Sequence, residues 1–160
     1  MIFITVGTHE QPFNRLIRKI DELVGDKVIN ESVFMQIGFS DYIPRHVEYA
    51  RFLKYDQMQK YIDEARIVVT HGGPASFINV LAKGKRPIVV PRLSEFQEHV
   101  NDHQMIFAKE LIKKEYDIVL VENIQELGNE ILDFKDNTSR FRSKNEFFMS
   151  NFIDIVDKLV

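Results

Sequence analysis

The chain has 160 residues, 44% of them hydrophobic and 28% charged, which suits one globular domain with a sizeable core. A formal net charge of -3 argues against a nucleic-acid binder with a basic surface, and the absence of cysteine excludes disulfides, thiol catalysis and thiolate metal sites. No stretch approaches the roughly 20 apolar residues that span a bilayer, and the opening Met-Ile-Phe-Ile-Thr-Val lacks the length and basic flank of a signal peptide, so a cytoplasmic location is expected.

Ile2 to Val6 is the first predicted strand, ended by Gly7 and the loop Thr8-His9-Glu10-Gln11. A helix then starts near Pro12 or Phe13, with Phe13, Leu16, Ile17, Ile20, Leu23 and Val24 on one face and Gly25 as its stop. Val33 to Ile37 reads as a second strand, Gly38 to His46 as a loop, and Val47 to Leu53 as a short strand. Asp56 is placed as the cap of a helix reaching about Ala65, with Met58, Tyr61 and Ile62 facing inward.

Thr70 to Pro91 is the centre of the chain: THGGPASFINVLAKGKRPIVVP. The buried run Ile67-Val68-Val69 precedes it, Gly72-Gly73 makes the turn, Pro74 to Lys83 has helical spacing, and Ile88-Val89-Val90 closes the unit. Strand, turn, helix and strand in this order imply a parallel sheet. A polar stretch from Arg92 to Asp102 leads to a helix ending near Lys114, with Met105, Ile106, Ala108, Leu111 and Ile112 as candidate core. Asp117 to Val121 is a last buried strand. Asn123 with Glu126 opens a helix to about Phe134, and a C-terminal helix is expected over 143–159. About six strands alternate with helices, so the predicted fold is a single α/β domain over 1–160, a doubly wound parallel sheet of Rossmann type.

In such sheets ligands lie at the carboxyl ends of the strands, where the loops here carry Gly7, Gly38 and Gly72-Gly73. A glycine turn opening a helix admits a phosphate to the helix N-terminus, and Ser76 adds a hydroxyl; a tight chain reversal needs glycine equally. The dinucleotide and P-loop patterns are absent. His9 and His71 follow strands at this edge, as catalytic groups or as ordinary hydrogen-bonding residues. Glu98, Asn101, Asp102, His103 and Gln104 can bond sugar hydroxyls or form a solvated loop and helix cap. His99 and His103 have i,i+4 spacing, but no third ligand is evident and no metal is expected. Phe52, Leu53 and Tyr55 make either an apolar slot for a base or ordinary core.

GTHEQPFNRL, THGGPASFINVLAKGKRPIVVP and EHVNDHQ resemble glycosyltransferase family 28, in its C-terminal, donor-binding half. The likeness is to small bacterial exopolysaccharide and capsule glycosyltransferase subunits, which are similar to the catalytic subunit of the dolichol-linked N-acetylglucosaminyltransferase. The resemblance implies half of a glycosyltransferase-B fold that binds a UDP-sugar. It assigns Gly72, Gly73 and Ser76, with His71 beside them, to the diphosphate, approached by Gly7 and Thr8. It assigns Asp102, His103 and Gln104, with Glu98 nearby, to the sugar, and puts Asn79 where relatives often hold the ribose with Glu.

A single half also implies a membrane-anchored partner subunit that supplies the acceptor site, which leaves this chain peripheral to the inner face of the membrane. The implied reaction is inverting transfer to a lipid-linked saccharide with no cofactor or metal. His9 is the local candidate for the base, unless the partner holds it. The competing role is a non-catalytic subunit that stabilises another transferase. An isolated chain is also a candidate to self-associate.

Overall fold

The computed structural model describes residues 1–135. Strands β1 (Ile2–Thr5), β2 (Val33–Gln36), β3 (Glu48–Ala50), β4 (Ile67–Thr70), β5 (Ile88–Val89) and β6 (Val119–Leu120) form one sheet in the order β3-β2-β1-β4-β5-β6. Every pairing is parallel, with Ile2 level with both Val33 and Ile67. The predicted α/β fold is therefore present, and the order reverses between β1 and β4. The helices are α1 (Asn14–Gly25), α2 (Tyr55–Glu64), α3 (Pro74–Ala82), α4 (His103–Lys113) and α5 (Leu127–Leu132). The helix expected over 143–159 lies outside the described residues.

Side chains alternate across a strand, and this alternation builds two cores. Ile2 and Ile4 of β1, with Ile67 and Val69 of β4, pack beneath Leu16, Ile17 and Ile20 of α1 and Leu127 and Ile131 of α5. On the other face Phe3 and Val68 meet Ile62 of α2 and Val80 of α3, and Tyr61 stacks on Phe3 and Phe34. Val89 continues that face against Phe107, Ala108 and Leu111 of α4. Helices cover both faces, so β1 and β4 are fully buried and apolar up to their closing threonines. Burying a Val, Ile, Leu or Phe side chain contributes roughly 1.5–3 kcal/mol each before chain entropy is counted.

Local details depart from the sequence reading. Asp56 does not cap α2: the cap residue is Lys54, whose N–H donates to Gln57 Oε1 at 3.0 Å, and Asp56 sits in the first turn. The helix α1 ends at Gly25 as expected, but the left-handed residue is Lys27, with φ of 62°. A Cβ at Gly25 would lie 2.6 Å from the His46 ring, so close packing explains the glycine. Asn123 does cap a helical turn, accepting from the Gln125 N–H at 3.0 Å, but that turn is 3-10 (Ile124–Glu126) and α5 follows it.

The core face of α4 is Gln104, Phe107, Ala108 and Leu111, whereas Ile106 and Ile112 are exposed. Ala108 and Leu111 are core as expected, but a polar residue heads the buried stripe, so the apolar pattern also drew in Ile106 and Ile112. Asp21 is a second buried polar group. It accepts from Tyr42 Oη and the N–H groups of Arg45 and His46, pinning the loop over 38–46 to α1. Burial alone would raise its pKa, but these bonds hold the carboxyl below its ordinary value.

Candidate functional site

A cleft of about 440 Å³ opens where the strand order reverses, at the carboxyl ends of β1 and β4. Gly7, Thr8 and His9 line one side, and Gly73, Pro74, Ala75, Ser76 and Asn79 of α3 line the other. Met58 and Ile62 form an apolar floor from α2. Gly73 is the cap residue of α3 and Pro74 its first residue, so the positive end of the helix dipole faces the cleft. A second cavity, of about 590 Å³, runs along α1. Arg15, Arg18 and Lys19 there are offset by Glu22, Asp41 and Glu98, so it has no net attraction for an anion.

The His71 ring is wedged between the two glycines of the cleft. A Cβ at Gly7 would lie 2.4 Å from His71 Nε2, and one at Gly73 would lie 2.3 Å from His71 Cε1. Gly7 also has φ of 76°, where a side chain would be strained. His71 Nδ1 accepts from the Gly73 N–H at 3.1 Å and faces Gln104 Nε2 at 3.3 Å, while Nε2 lies 2.9 Å from Ser76 Oγ. Burial first, and then the positive charge of Arg92, push the His71 pKa down to about 3. The ring is neutral at physiological pH.

Two buried glutamines fix the loops around it. Gln104 Oε1 accepts from the N–H groups of Gly72 and Arg92, each at 3.0 Å, tying the loop after β4 to the chain leaving β5. Gln36 Oε1 accepts from Thr5 Oγ1 at 2.6 Å and the Gly7 N–H at 3.2 Å, and its Nε2 donates to Gly7 O and Arg51 O. Arg92 joins the halves. It is fully buried and donates to Val6 O and Gln11 O at 2.7 Å and to Glu98 O at 3.1 Å, with its guanidinium over the Phe13 ring. Burial lowers its pKa to about 10, so it stays charged.

Against this geometry, the profile of the glycosyltransferase family 28 C-terminal domain matches residues 1–159. The chain belongs to that family. It is 30% identical over 127 residues to the human UDP-N-acetylglucosamine transferase subunit ALG13, and 28% identical over 128 residues to the mouse protein of the same name. These matches cover 71% and 70% of this chain but 10% of each relative, so the chain spans about a tenth of their length. Among solved structures, the glycotransferase of kitacinnamycin superposes with a TM-score of 0.60 at 14% identity. SnogD, a glycosyltransferase from Streptomyces nogalater, superposes with 0.56 at 15% identity. Both cover 99% of this chain, which covers 42% and 43% of them. The fold is one Rossmann-like half of a glycosyltransferase-B architecture.

Within this family 28 domain, the cleft brings together Gly7, Thr8, His9, His71, Gly73, Ser76 and Asn79. Gly72 and Gly38 are not among its lining residues: a Cβ at Gly72 would lie 2.7 Å from Gln104 Cβ, and one at Gly38 would lie 2.8 Å from Gly7 O. Both glycines serve loop packing. Glu98 is buried in a two-pronged pair with Arg15, at 2.9 Å for each bond, and also accepts from the Leu93 N–H.

Asp102 and His103 are exposed. Asp102 Oδ1 accepts from the Ser94 N–H and hydroxyl, bonds that lower its pKa, and the His103 N–H donates to Asn101 Oδ1. Phe52 and Tyr55 are exposed outside the cleft, Phe52 edge-on to Phe39, and Leu53 packs beside Met58 in the core.

His9 Nε2 donates to Gln11 Oε1, 2.8 Å away, and the ring stacks on His99 with centroids 4.5 Å apart. Burial first, then the nearby His9, lowers the His99 pKa. Among the described residues, no three His, Asp or Glu side chains converge on a metal position. No helix among them is long and apolar enough to cross a membrane. The sequence reading missed Gln36, Arg15 and Arg92. A glutamine inside the apolar run Val33 to Ile37 was the one available signal, because a buried amide must find partners.

Proposed function

We propose that the chain is the donor-binding, catalytic subunit of a two-component inverting glycosyltransferase. It transfers a hexose from a UDP-sugar to a lipid-linked saccharide in exopolysaccharide or capsule synthesis. The observation that carries this reading is the cleft at the strand-order reversal, where glycine backbone, the N-terminus of α3 and the Ser76 hydroxyl meet. A leaving diphosphate gathers negative charge as the glycosidic bond breaks, and fixed N–H and O–H donors stabilise it there. Asn79 lies one helical turn beyond Ser76 on the same wall and is assigned to the ribose.

The acceptor hydroxyl loses its proton as its oxygen bonds the anomeric carbon, on the face opposite the departing UDP. His9 is the base this chain can offer. With Gln11 Oε1 as acceptor, the His9 proton sits on Nε2 and Nδ1 keeps its lone pair. The relatives it resembles are named as subunits of a transferase, which supports a partner subunit, membrane-anchored in this reading, for the acceptor side. One observation favours the enhancer reading instead: Glu98 and Gln104, assigned to the sugar by resemblance, have their side chains bonded to protein groups.

Calorimetric titration with UDP and a panel of UDP-sugars, without added metal, tests the reading. Ser76→Asp is the better companion variant than a change at Gly73, whose Cβ would strike His71. A carboxylate in the first turn suits the helix dipole but repels a diphosphate. Micromolar-to-millimolar binding lost in a folded Ser76→Asp variant is expected. A chain that binds no UDP with or without its partner is an enhancer, not the donor subunit.

A further inference from the structure

The orientation of the Gln104 amide is set by its neighbours. Its oxygen must face the Gly72 and Arg92 N–H groups, because both are donors at 3.0 Å. The NH₂ is therefore the end that faces His71 Nδ1 at 3.3 Å. The Gly73 N–H donates to the same Nδ1 at 3.1 Å. Two donors aimed at one nitrogen require its lone pair, so the ring proton sits on Nε2. Nε2–H then has Ser76 Oγ as acceptor at 2.9 Å. With its oxygen accepting from the ring, Ser76 has its own O–H left to donate to a third group, and Ser76 lines the cleft.

We propose that Gln104 is a positioning residue: it holds His71 as the neutral Nε2–H tautomer, so that the Ser76 hydroxyl is turned to donate to an anionic oxygen in the cleft. This inference rests on the donor-site reading for the identity of the anion, a nucleoside diphosphate, but not for the tautomer. Burial is the largest influence against a charge on the ring, and the positive charge of Arg92 and the nearby His9 and His99 add to it. Gln104 thus acts at one remove from the ligand, through a ring clamped by Gly7 and Gly73.

Gln104→Glu separates this role from loop bracing. One carboxylate oxygen can still accept from Gly72 and Arg92, while the other now faces Nδ1 as an acceptor and draws a proton there. Nε2 then becomes the acceptor for the Ser76 O–H, which turns away from the cleft. Nitrogen-15 NMR of histidine-labelled full chain, with His71 assigned from a His71→Gln spectrum, reads the ring directly. The unaltered protein is expected to show a bare Nδ1 and protonated Nε2 from pH 8 to pH 5, and Gln104→Glu a proton on Nδ1.

UDP affinity should fall about tenfold in Gln104→Glu and about tenfold in Ser76→Ala, the worth of one bond to a charged group. The double variant should lose little more than either, because both act on one hydroxyl. An Nδ1–H ring in the unaltered chain overturns the proposal without any variant, so a misfolded Gln104→Glu does not protect it. Additive losses overturn it too, since they would mean simple repulsion by the new carboxylate. If the unaltered chain binds no UDP, the donor-site reading and the ligand half of this proposal fall together, and the ring spectrum alone decides the tautomer.

Discussion

The two walls of the cleft are each braced by a buried glutamine, and the two amides are used differently. Gln36 lies within β2, and its partners are backbone groups and the neutral Thr5 hydroxyl. That network closes on itself and fixes the loop after β1. Gln104 lies on α4 and braces two N–H groups in the same way, but its other end meets a titratable ring whose far nitrogen reaches Ser76 in the cleft. One wall's network stays among protein groups, and the other's reaches the cleft through Ser76. Satisfied buried polar networks specify a single arrangement, and the cost of breaking one is correspondingly high.

Arg92 spans both walls, so its removal should have the largest effect. Arg92→Met keeps volume but orphans the carbonyls of Val6, Gln11 and Glu98, which should cost about 3–5 kcal/mol, measured as a shift in the urea midpoint at constant slope. Lysine should not rescue it, because one ammonium cannot reproduce the planar fork. If the lysine variant is as stable as the unaltered chain, the walls are not joined by this side chain. Gln36→Leu comes next, at about 2–3 kcal/mol, since it removes the acceptor of the buried Thr5 hydroxyl and the side-chain donor to Gly7 O. It should leave the His71 ring spectrum unchanged, which Gln104→Glu should not. A change in both spectra would mean that the walls are coupled and the contrast is false.

The same contrast explains what could be read from the sequence. Apolar runs such as Ile67 to Val69 announce buried strands because helices cover both sheet faces, and the order of strands and helices then restricts the topology to very few choices. Gly7 and Gly73, which flank the cleft on turns, were legible because turn geometry leaves a residue-type signature, and Ser76 follows in the first turn of α3. Gln104 was seen as a sugar contact but not as the head of the buried stripe of α4, and Ile106 and Ile112 were counted with Ala108 and Leu111 in its place. Asp21, Gln36 and Arg92 were lost for the same reason. A buried polar side chain is defined by partners distant in sequence, and hydrophobic periodicity counts it as surface.

A pH titration tests the responsive wall with a smaller effect. The His71 pKa falls from 6.5 to about 3 on folding, so between these values the unfolded chain binds the extra proton. Stability is therefore complete above about pH 6.5 and declines as pH falls toward 3. Between pH 7 and pH 5 the loss should be on the order of 1–2 kcal/mol, with His99, also lowered, adding in the same direction. Asp21 and Glu31 are held below their ordinary carboxylate values and contribute only in more acid solution. His71→Gln should flatten the decline between pH 7 and pH 5. An equally steep decline in that variant would move the acid sensitivity elsewhere.

The smallest expected effect concerns Asn79, on the wall that holds Ser76. If Asn79 faces the ribose, Asn79→Glu should strengthen UDP binding about threefold, because a carboxylate accepts from two vicinal hydroxyls in charge-assisted bonds. The same charge lies one turn from the diphosphate and repels it, which is why the gain is small rather than tenfold. The ligand 2′-deoxy-UDP separates the two contributions. It keeps the diphosphate and lacks one hydroxyl, so the variant should bind it more weakly than the unaltered chain does. Weakening of both ligands to the same degree would put Asn79 on the phosphate side of the cleft, and the ribose would then have to lie against Met58 and Ile62, whose side chains offer it no hydrogen-bond donor.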